Sequence, residues 1–314
     1  MRIAGTSFTN SMVSQINLLA ARQYQLQNQA TTGQSIQVPS DNPAGMEKAL
    51  NLQAESSTAA QYAQNISTLQ DRANLTASAL SHLKTISDQV TQIATQAANG
   101  TNSAAQMQTY ATQVTSLIKQ AAQVMNSKSG SQYLFGGTAN GQPPYAVATD
   151  ANGNVTGVTY QGNSSVAQNA IAANTTLSVD LPGANTSGAG PRGVITDSRS
   201  GADFFNHLLT LQSHLAAGNT NAVSTTDQPA LAHDEDNIIY QVANNGVALS
   251  QLNAAATAAS TQQTNLQQNI SQVADANLTQ TLVDLSQAQN SYQVALQSSS
   301  KMLQLQTTLL NAIQ

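Results

Sequence analysis

Apolar residues return at alternating steps of four and three near both ends of this chain. Leu278, Leu282, Leu285, Gln289, Tyr292, Leu296, Ser299 and Leu303 follow that rhythm, which is the pattern of a helical seam. Phe8, Met12, Ile16, Leu19, Gln23, Leu26 and Ala30 trace a shorter version near the N-terminus. Two matching seams at opposite ends either pair with each other or are offered to neighbouring copies. The pattern therefore points to assembly before chemistry.

Between the seams the periodicity changes twice. The first helix is expected to stop at Thr32-Gly33, a glycine stop. In VPSDNPAG, Val38 to Gly45, two prolines bracket Ser40-Asp41-Asn42. They forbid a continuous helix, and Asn42-Pro43 favours a turn that starts the next one. Helical spacing resumes from Pro43 to about Asn99 with Leu50, Tyr62, Ile66, Leu69, Leu80, Leu83, Ile86, Val90 and Ile93, and again from about Ala104 to Asn126. From Tyr133 to about Ser200 the period falls towards two, with Gly, Asn and Pro between short β-prone runs. Ala146 to Tyr160 reads as a hairpin turning at Asp150-Ala151-Asn152-Gly153. Ser165–Ile171 and Thr176–Leu181 read as strands, and Pro182–Gly193 as a flexible connection. Tyr133, Leu134 and Phe135 read as a buried strand anchoring the insert.

Helical pattern returns at Phe204, Phe205, Leu208, Leu211 and Leu215, and after the polar stretch Asn219–Gln228 a long final run places Ile238, Val242, Leu249, Leu252, Leu266, Ile270 and Val273 on one face. The register shifts between Asp275 and Leu278, so a joint is expected there. The fold class is mainly α with a β-rich insert, a nested antiparallel long-helix hairpin with its N- and C-terminal helices paired. Three domains follow: residues 1–42 with 276–314 as a terminal coiled coil, 43–132 with 201–275 as a helical core, and 133–200 as a β-rich outer domain.

Composition narrows the function. Only 8% of the 314 residues are charged, against roughly 25% in an ordinary globular protein. The net charge is −5, and no Lys or Arg occurs between Arg199 and Lys301. Nucleic-acid binding and a basic membrane-surface helix need clustered cations and are not expected. The chain has no cysteine, which excludes disulfides, thiol chemistry and zinc–cysteine sites. The start, MRIAGTSFTNSM, has no sustained apolar run and does not read as a cleaved signal peptide. No stretch is long and apolar enough to suggest membrane insertion.

Candidate chemistry is sparse. His233-Asp234-Glu235-Asp236 is the one dense acidic cluster. It precedes a helix expected to begin near Asn237 and is read as acidic residues at a helix N-terminus rather than a metal site. His207 and His214 are seven apart, not the four-residue spacing of a helical metal pair. No HExxH, GxSxG, Walker or GxGxxG motif sits in its required context. The expectation is no enzyme, no cofactor and no metal.

Two motifs carry a family resemblance. TTGQSIQVPSDNPAG, Thr31 to Gly45, resembles the turn after the first helix of bacterial flagellins and hook-associated proteins, and GSQYLFGGT, Gly130 to Thr138, resembles the entry to the outer domain of the FlgL-type hook–filament junction proteins. The MRI start and KMLQLQTTLLNAIQ at the end fit the same type. The inner C-terminal helix departs from it, because Tyr240–Ala254 lacks the arginines such proteins often carry there.

The resemblance implies a structural subunit of the bacterial flagellum, exported without a cleaved signal peptide by the flagellar type III apparatus. Its partners would be itself in a ring of copies, the other hook-associated junction protein, flagellin and an export chaperone. The alternatives are flagellin itself, or a secreted binding protein or adhesin using the β-rich insert. The seams offer too little apolar area for a lone helix or pair to offset its ordering entropy, so the terminal domain is expected to be disordered until assembly. The candidate assembly residues are Phe8, Met12, Ile16, Leu19, Leu26, Leu278, Leu282, Leu285, Tyr292, Leu296, Leu303, Leu309 and Ile313. The structural turn is Gly33, Pro39, Ser40, Asp41 and Pro43, with Asp41 either a local cap or a contact between subunits.

Overall fold

The computed structural model describes residues 2–312, and side chains from residue 9 to 305 together with 307 and 308. In chain order the elements are α1 (Arg2–Thr32), α2 (Pro43–Ala97), α3 (Ala104–Met125), β1 (Lys128–Ser129), β2 (Gln132–Tyr133), β3 (Tyr145–Thr149), β4 (Val155–Tyr160), β5 (Asn169–Ala172), β6 (Thr175–Leu177), β7 (Ala184–Asn185), β8 (Thr196–Asp197), β9 (Ala202–Asp203), α4 (Phe204–Ala216), α5 (Thr220–Ala222), a π-turn (Val223–Asp227), α6 (Gln228–Ala274) and α7 (Leu278–Ala312). The architecture is mainly α with a β-rich insert. Two compact units are present: Met1–Thr58 with Gln262–Gln314, and Ala59–Thr261.

In the first unit α1 packs on α7. Gly33, at φ +73°, ends α1 in the left-handed conformation that glycine adopts freely. The chain leaving α1 then pairs with the α6–α7 joint: Ser35 N donates to Ala274 O at 2.7 Å and Ala276 N to Gly33 O at 2.8 Å. The end of α1 thus meets the start of α7, which makes the pair antiparallel. Asn277 accepts from Gln280 N at 3.2 Å and caps the new helix. The shift of register between Asp275 and Leu278 is this joint.

The second unit holds one extensive apolar core. Leu80, Leu83 and Val90 of α2, Val114, Ile118 and Met125 of α3, Leu208, Leu211 and Leu215 of α4, and Ile238 of α6 are buried together with Phe135 and Ile195 of the insert. Helix α3 starts on a capping box: Gln106 N donates to Ser103 Oγ at 3.3 Å and Ser103 N to Gln106 Oε1 at 2.7 Å. A smaller cluster joins Ile66, Leu69 and Ala73 of α2 to Ile171, Val179 and Leu252.

The insert is a set of small sheets. β3 and β4 pair antiparallel from Tyr145↔Tyr160 onward, around the expected turn, where Asp150 Oδ1 accepts from Asn152 N at 2.9 Å and Asn154 N at 2.8 Å. β5 and β6 form a second hairpin, shorter than the two expected runs. Tyr133 closes β2, while Leu134 and Phe135 are buried just beyond it rather than in a strand. Pro182–Gly193 is not a free connection. β7 joins β8 and β9 in a three-stranded sheet, and buried Asn185 donates to Ala189 O and Pro191 O, each at 2.6 Å. Asp197, also buried, accepts from Gly193 N at 3.0 Å and pairs with Arg199 at 2.7 Å.

The polar stretch Asn219–Gln228 holds α5 and the π-turn, and one further expectation is corrected. Helix α6 begins at Gln228, so His233–Asp236 lies inside it and caps nothing.

Candidate assembly surfaces

The turn after α1 is built locally. Asp41 Oδ2 accepts from Gln37 N and Val38 N, both at 3.1 Å, and Asp41 N donates to Val38 O at 3.0 Å. The carboxylate is therefore occupied in closing its own turn. Asn42 Oδ1 accepts from Gly45 N at 3.0 Å, and Pro43 opens α2 at the position where a missing N–H costs nothing. A Cβ on Gly45 would meet Asn42 Nδ2 at 2.5 Å and Ile36 Cδ1 at 2.6 Å, so any larger residue there must push those two side chains aside. Pro39, Ser40 and Asp41 remain exposed.

The two terminal helices use their seams differently. On α1, Met12, Ile16 and Leu19 are half-buried and Leu26 is buried. On α7 the covered face is Thr281, Leu285, Ala288, Tyr292, Ala295 and Ser299, still at steps of four and three but mostly small residues. Leu278, Leu282, Leu296 and Leu303 stand on the flank of that face and are 42–56% exposed. Leu285, Tyr292 and Ser299 belong both to the expected seam and to the covered face. Val283 and Val294 edge a shallow groove of about 760 Å³ along α7. The side chains of Phe8 and Leu309, and all of Ile313, lie outside the described residues.

Sequence reading missed a polar interior in the second unit. Asn237, Gln241 and Asn245 of α6 are buried. Asn237 Nδ2 donates to Gly193 O at 2.9 Å and Val194 O at 2.8 Å, Gln241 Nε2 to Arg192 O at 3.0 Å, and Asn245 Nδ2 to Ala73 O at 3.0 Å. Each satisfies loop or helix carbonyls that a hydrocarbon side chain would orphan. The four-residue spacing of Asn237, Gln241 and Asn245 was the available signal. Val242, expected on the inner face, is exposed as a result.

The histidines form a ladder. His207 Nδ1 lies 2.8 Å from Asp234 Oδ2 and His214 Nδ1 2.9 Å from Asp227 Oδ2. Both pairs are seven residues apart on each strand of the ladder, so α4 and the start of α6 run antiparallel across it. Asp234 also accepts from Asp203 N at 2.8 Å. Its carboxylate hydrogen bond holds the His207 imidazole above its ordinary value, while burial pushes the Asp234 and Asp227 carboxyls up. The remaining acid, Glu235, bridges to Lys84 at 3.1 Å. Among the described residues no group of three or more His, Asp or Glu could hold a metal ion. None of their helices is long and apolar enough to cross a membrane.

Residues 4–140 match the bacterial flagellin N-terminal helical region. The N-terminal part of the chain is therefore similar to the helical region of bacterial flagellins. The match runs through α1, the Thr31–Gly45 turn, α2, α3 and the Gly130–Thr138 motif. A comparison with curated protein sequences finds no match. Among solved structures, FlgL of Xanthomonas campestris is similar with a TM-score of 0.56 and 17% identity, over 69% of this chain and 98% of that one. FlgL of Bacillus cereus gives 0.55 and 17%, over 70% and 99%. Flagellar hook associated protein-3 of Legionella pneumophila gives 0.58 and 14%, over 71% and 98%. At these identities the likeness is one of fold, and it extends the flagellin-like architecture beyond residue 140.

Proposed function

We infer that this chain is a structural subunit of the bacterial flagellum that forms the junction ring between hook and filament. The observation that carries the reading is the terminal helix pair within a flagellin-like chain. Its small-residue face is covered, and the leucine row of α7 is left open for other copies. The fold shared with FlgL and with hook associated protein-3 supports the junction over other flagellar roles. The partners are further copies of the chain, the other hook-associated junction protein and flagellin. An export chaperone holds the chain before secretion. The subunit reaches the cell exterior and catalyses no reaction.

A deletion strain tests this. Electron microscopy is expected to show bare hooks, with flagellin lost to the medium. Bare hooks without flagellin in the medium would make the chain the filament subunit, a second reading that the flagellin match itself favours. Intact, motile flagella would overturn both. The ends are taken to order on assembly: amides of residues 2–30 and 280–312 exchange rapidly in the free chain and slowly in isolated flagella.

A further inference from the structure

Between Asn237 and Val247 helix α6 turns an amide row inward and most of its apolar side chains outward, Ile238 being the buried exception. Its inward row is the amide set that binds main-chain carbonyls, and its outward row is Ile239, Tyr240 and Val247, 43–56% exposed. Ala243 and Gly246 lie between them. A Cβ on Gly246 would meet nothing within 4 Å, so nothing inside the chain accounts for a glycine that weakens a helix interior. No charged residue occurs from Ile239 to Asn253. The result is an apolar ridge with Asp236 at its N-terminal end and the Arg192 guanidinium 4.2 Å over the Tyr240 ring on its flank.

A matching groove runs between α2 and α3. One half, of about 600 Å³, begins at His82, and the other, of about 390 Å³, reaches Gln96; both include Gln89 and Gln120. Ile86, Ile93, Leu117 and Val124 contribute its apolar side chains and glutamine amides line its edges. His82 is its one ionisable lining residue. The groove from His82 to Gln96 spans ~21 Å of helix at 1.5 Å per residue, enough to take the ~17 Å from Asp236 to Val247. At 100° per residue the groove positions of α2 fall on a different side from Gln70 and Lys84, which reach α6 through Asn253 and Glu235. Ridge and groove are therefore separate faces of one unit. A contact between them on successive copies is heterologous and repeats from copy to copy, as a ring or a helical array requires.

We propose that the Ile239–Val247 ridge of one copy seats in the α2–α3 groove of the next, with Asp236 beside His82. The proposal rests on the junction-ring reading and names the surface that would build the ring. Ridge-into-groove packing of helices supplies the geometry, and Arg192, held over the Tyr240 ring at the flank of the ridge, stays at the solvent rim of the contact. The one acid–histidine encounter sets the direction.

The chain has no cysteine, so introduced thiols report the contact without background. The full chain carrying both Gln92→Cys and Val247→Cys, concentrated and oxidised, is expected to give a ladder of multimers. Each single variant stays monomeric, and a mixture of the two gives dimers. Asp236→Lys is expected to cut the ladder at least about tenfold, and adding His82→Glu to the same chain restores it. Dimers from Val247→Cys alone would overturn the proposal, as would a double variant that stays monomeric while both thiols react with a maleimide. The same crosslink is read on flagella isolated from cells whose only copy is the double variant. If the deletion strain builds normal filaments, the junction reading falls and the ladder of the purified chain still decides the surface.

Discussion

The core of Ala59–Thr261 and the α1–α7 pair are written in the same alphabet of Leu, Ile, Val, Ala and Gln at the same helical spacing, yet they bury it differently. In the core, α2, α3 and α4 surround Ile118, Leu208, Leu211 and Leu215 until no side chain has room to spare. In the terminal pair one helix has only one partner, and a single contact face covers Leu285 and Tyr292 by half. Val13, Leu18 and Tyr24 of α1 and the leucine row of α7 stay exposed. Periodicity tells a residue which face it shares, and the number of neighbouring elements tells it whether that face is buried. The terminal pair is a seam with one side left open, and the core is a seam covered on every side.

Substitutions can break or sharpen this contrast. Phe204→Ala removes a side chain packed edge-on against Phe205 at 6.0 Å, and its cost is expected to be about 3–5 kcal/mol in denaturant unfolding of the full chain. Asp234→Ala strips the acceptor from His207 and from Asp203 N–H, with an expected loss of about 3 kcal/mol by the same measurement. Gly45→Ala drives a methyl into Ile36 and is expected to cost about 1–3 kcal/mol. Its amide-exchange signature belongs to residues 33–45, leaving the α3 and α4 amides protected. Leu296→Ala is expected to change the stability of the free chain by less than about 0.5 kcal/mol while impairing assembly into flagella. A large loss of monomer stability there would mean the α7 leucines are already core.

The histidine ladder adds a pH dependence confined to the second unit. His207 titrates higher in the fold than in the unfolded chain because Asp234 stabilises its imidazolium. Its contribution is complete below the ordinary imidazole value of about 6.5 and is lost as pH rises through the raised value. The buried carboxyls of Asp227 and Asp234, also raised, act in the same direction at lower pH. Unfolding followed across pH 6–8 is expected to show stability falling with pH, and His207→Gln is expected to flatten that slope.

Much of the helical framework was legible in the residues. Gly33, Pro43, Ser103 and the Asp150–Gly153 turn end or begin elements through local backbone chemistry, and they do so where the sequence places them. The α6–α7 joint was legible because a seam cannot change register without one. The start of α6 was not, because the polar run Asn219–Gln228 carries turn-like residues that the packing of Val223 and the His214–Asp227 pair fold into helix. His233–Asp236 was misread for the same reason: an acidic cluster looks like a helix start until Asp234 is seen buried beneath α4. The sequence by itself determined the helices, the hairpin, the low charge and the terminal seams, because spacing, caps and composition act over a few residues. The tertiary structure alone decided which row of each helix is covered. It turned Asn237, Gln241 and Asn245 inward onto carbonyls and left Ile239, Val247 and the α7 leucines outward, because burial depends on what lies opposite a face and not on the face itself.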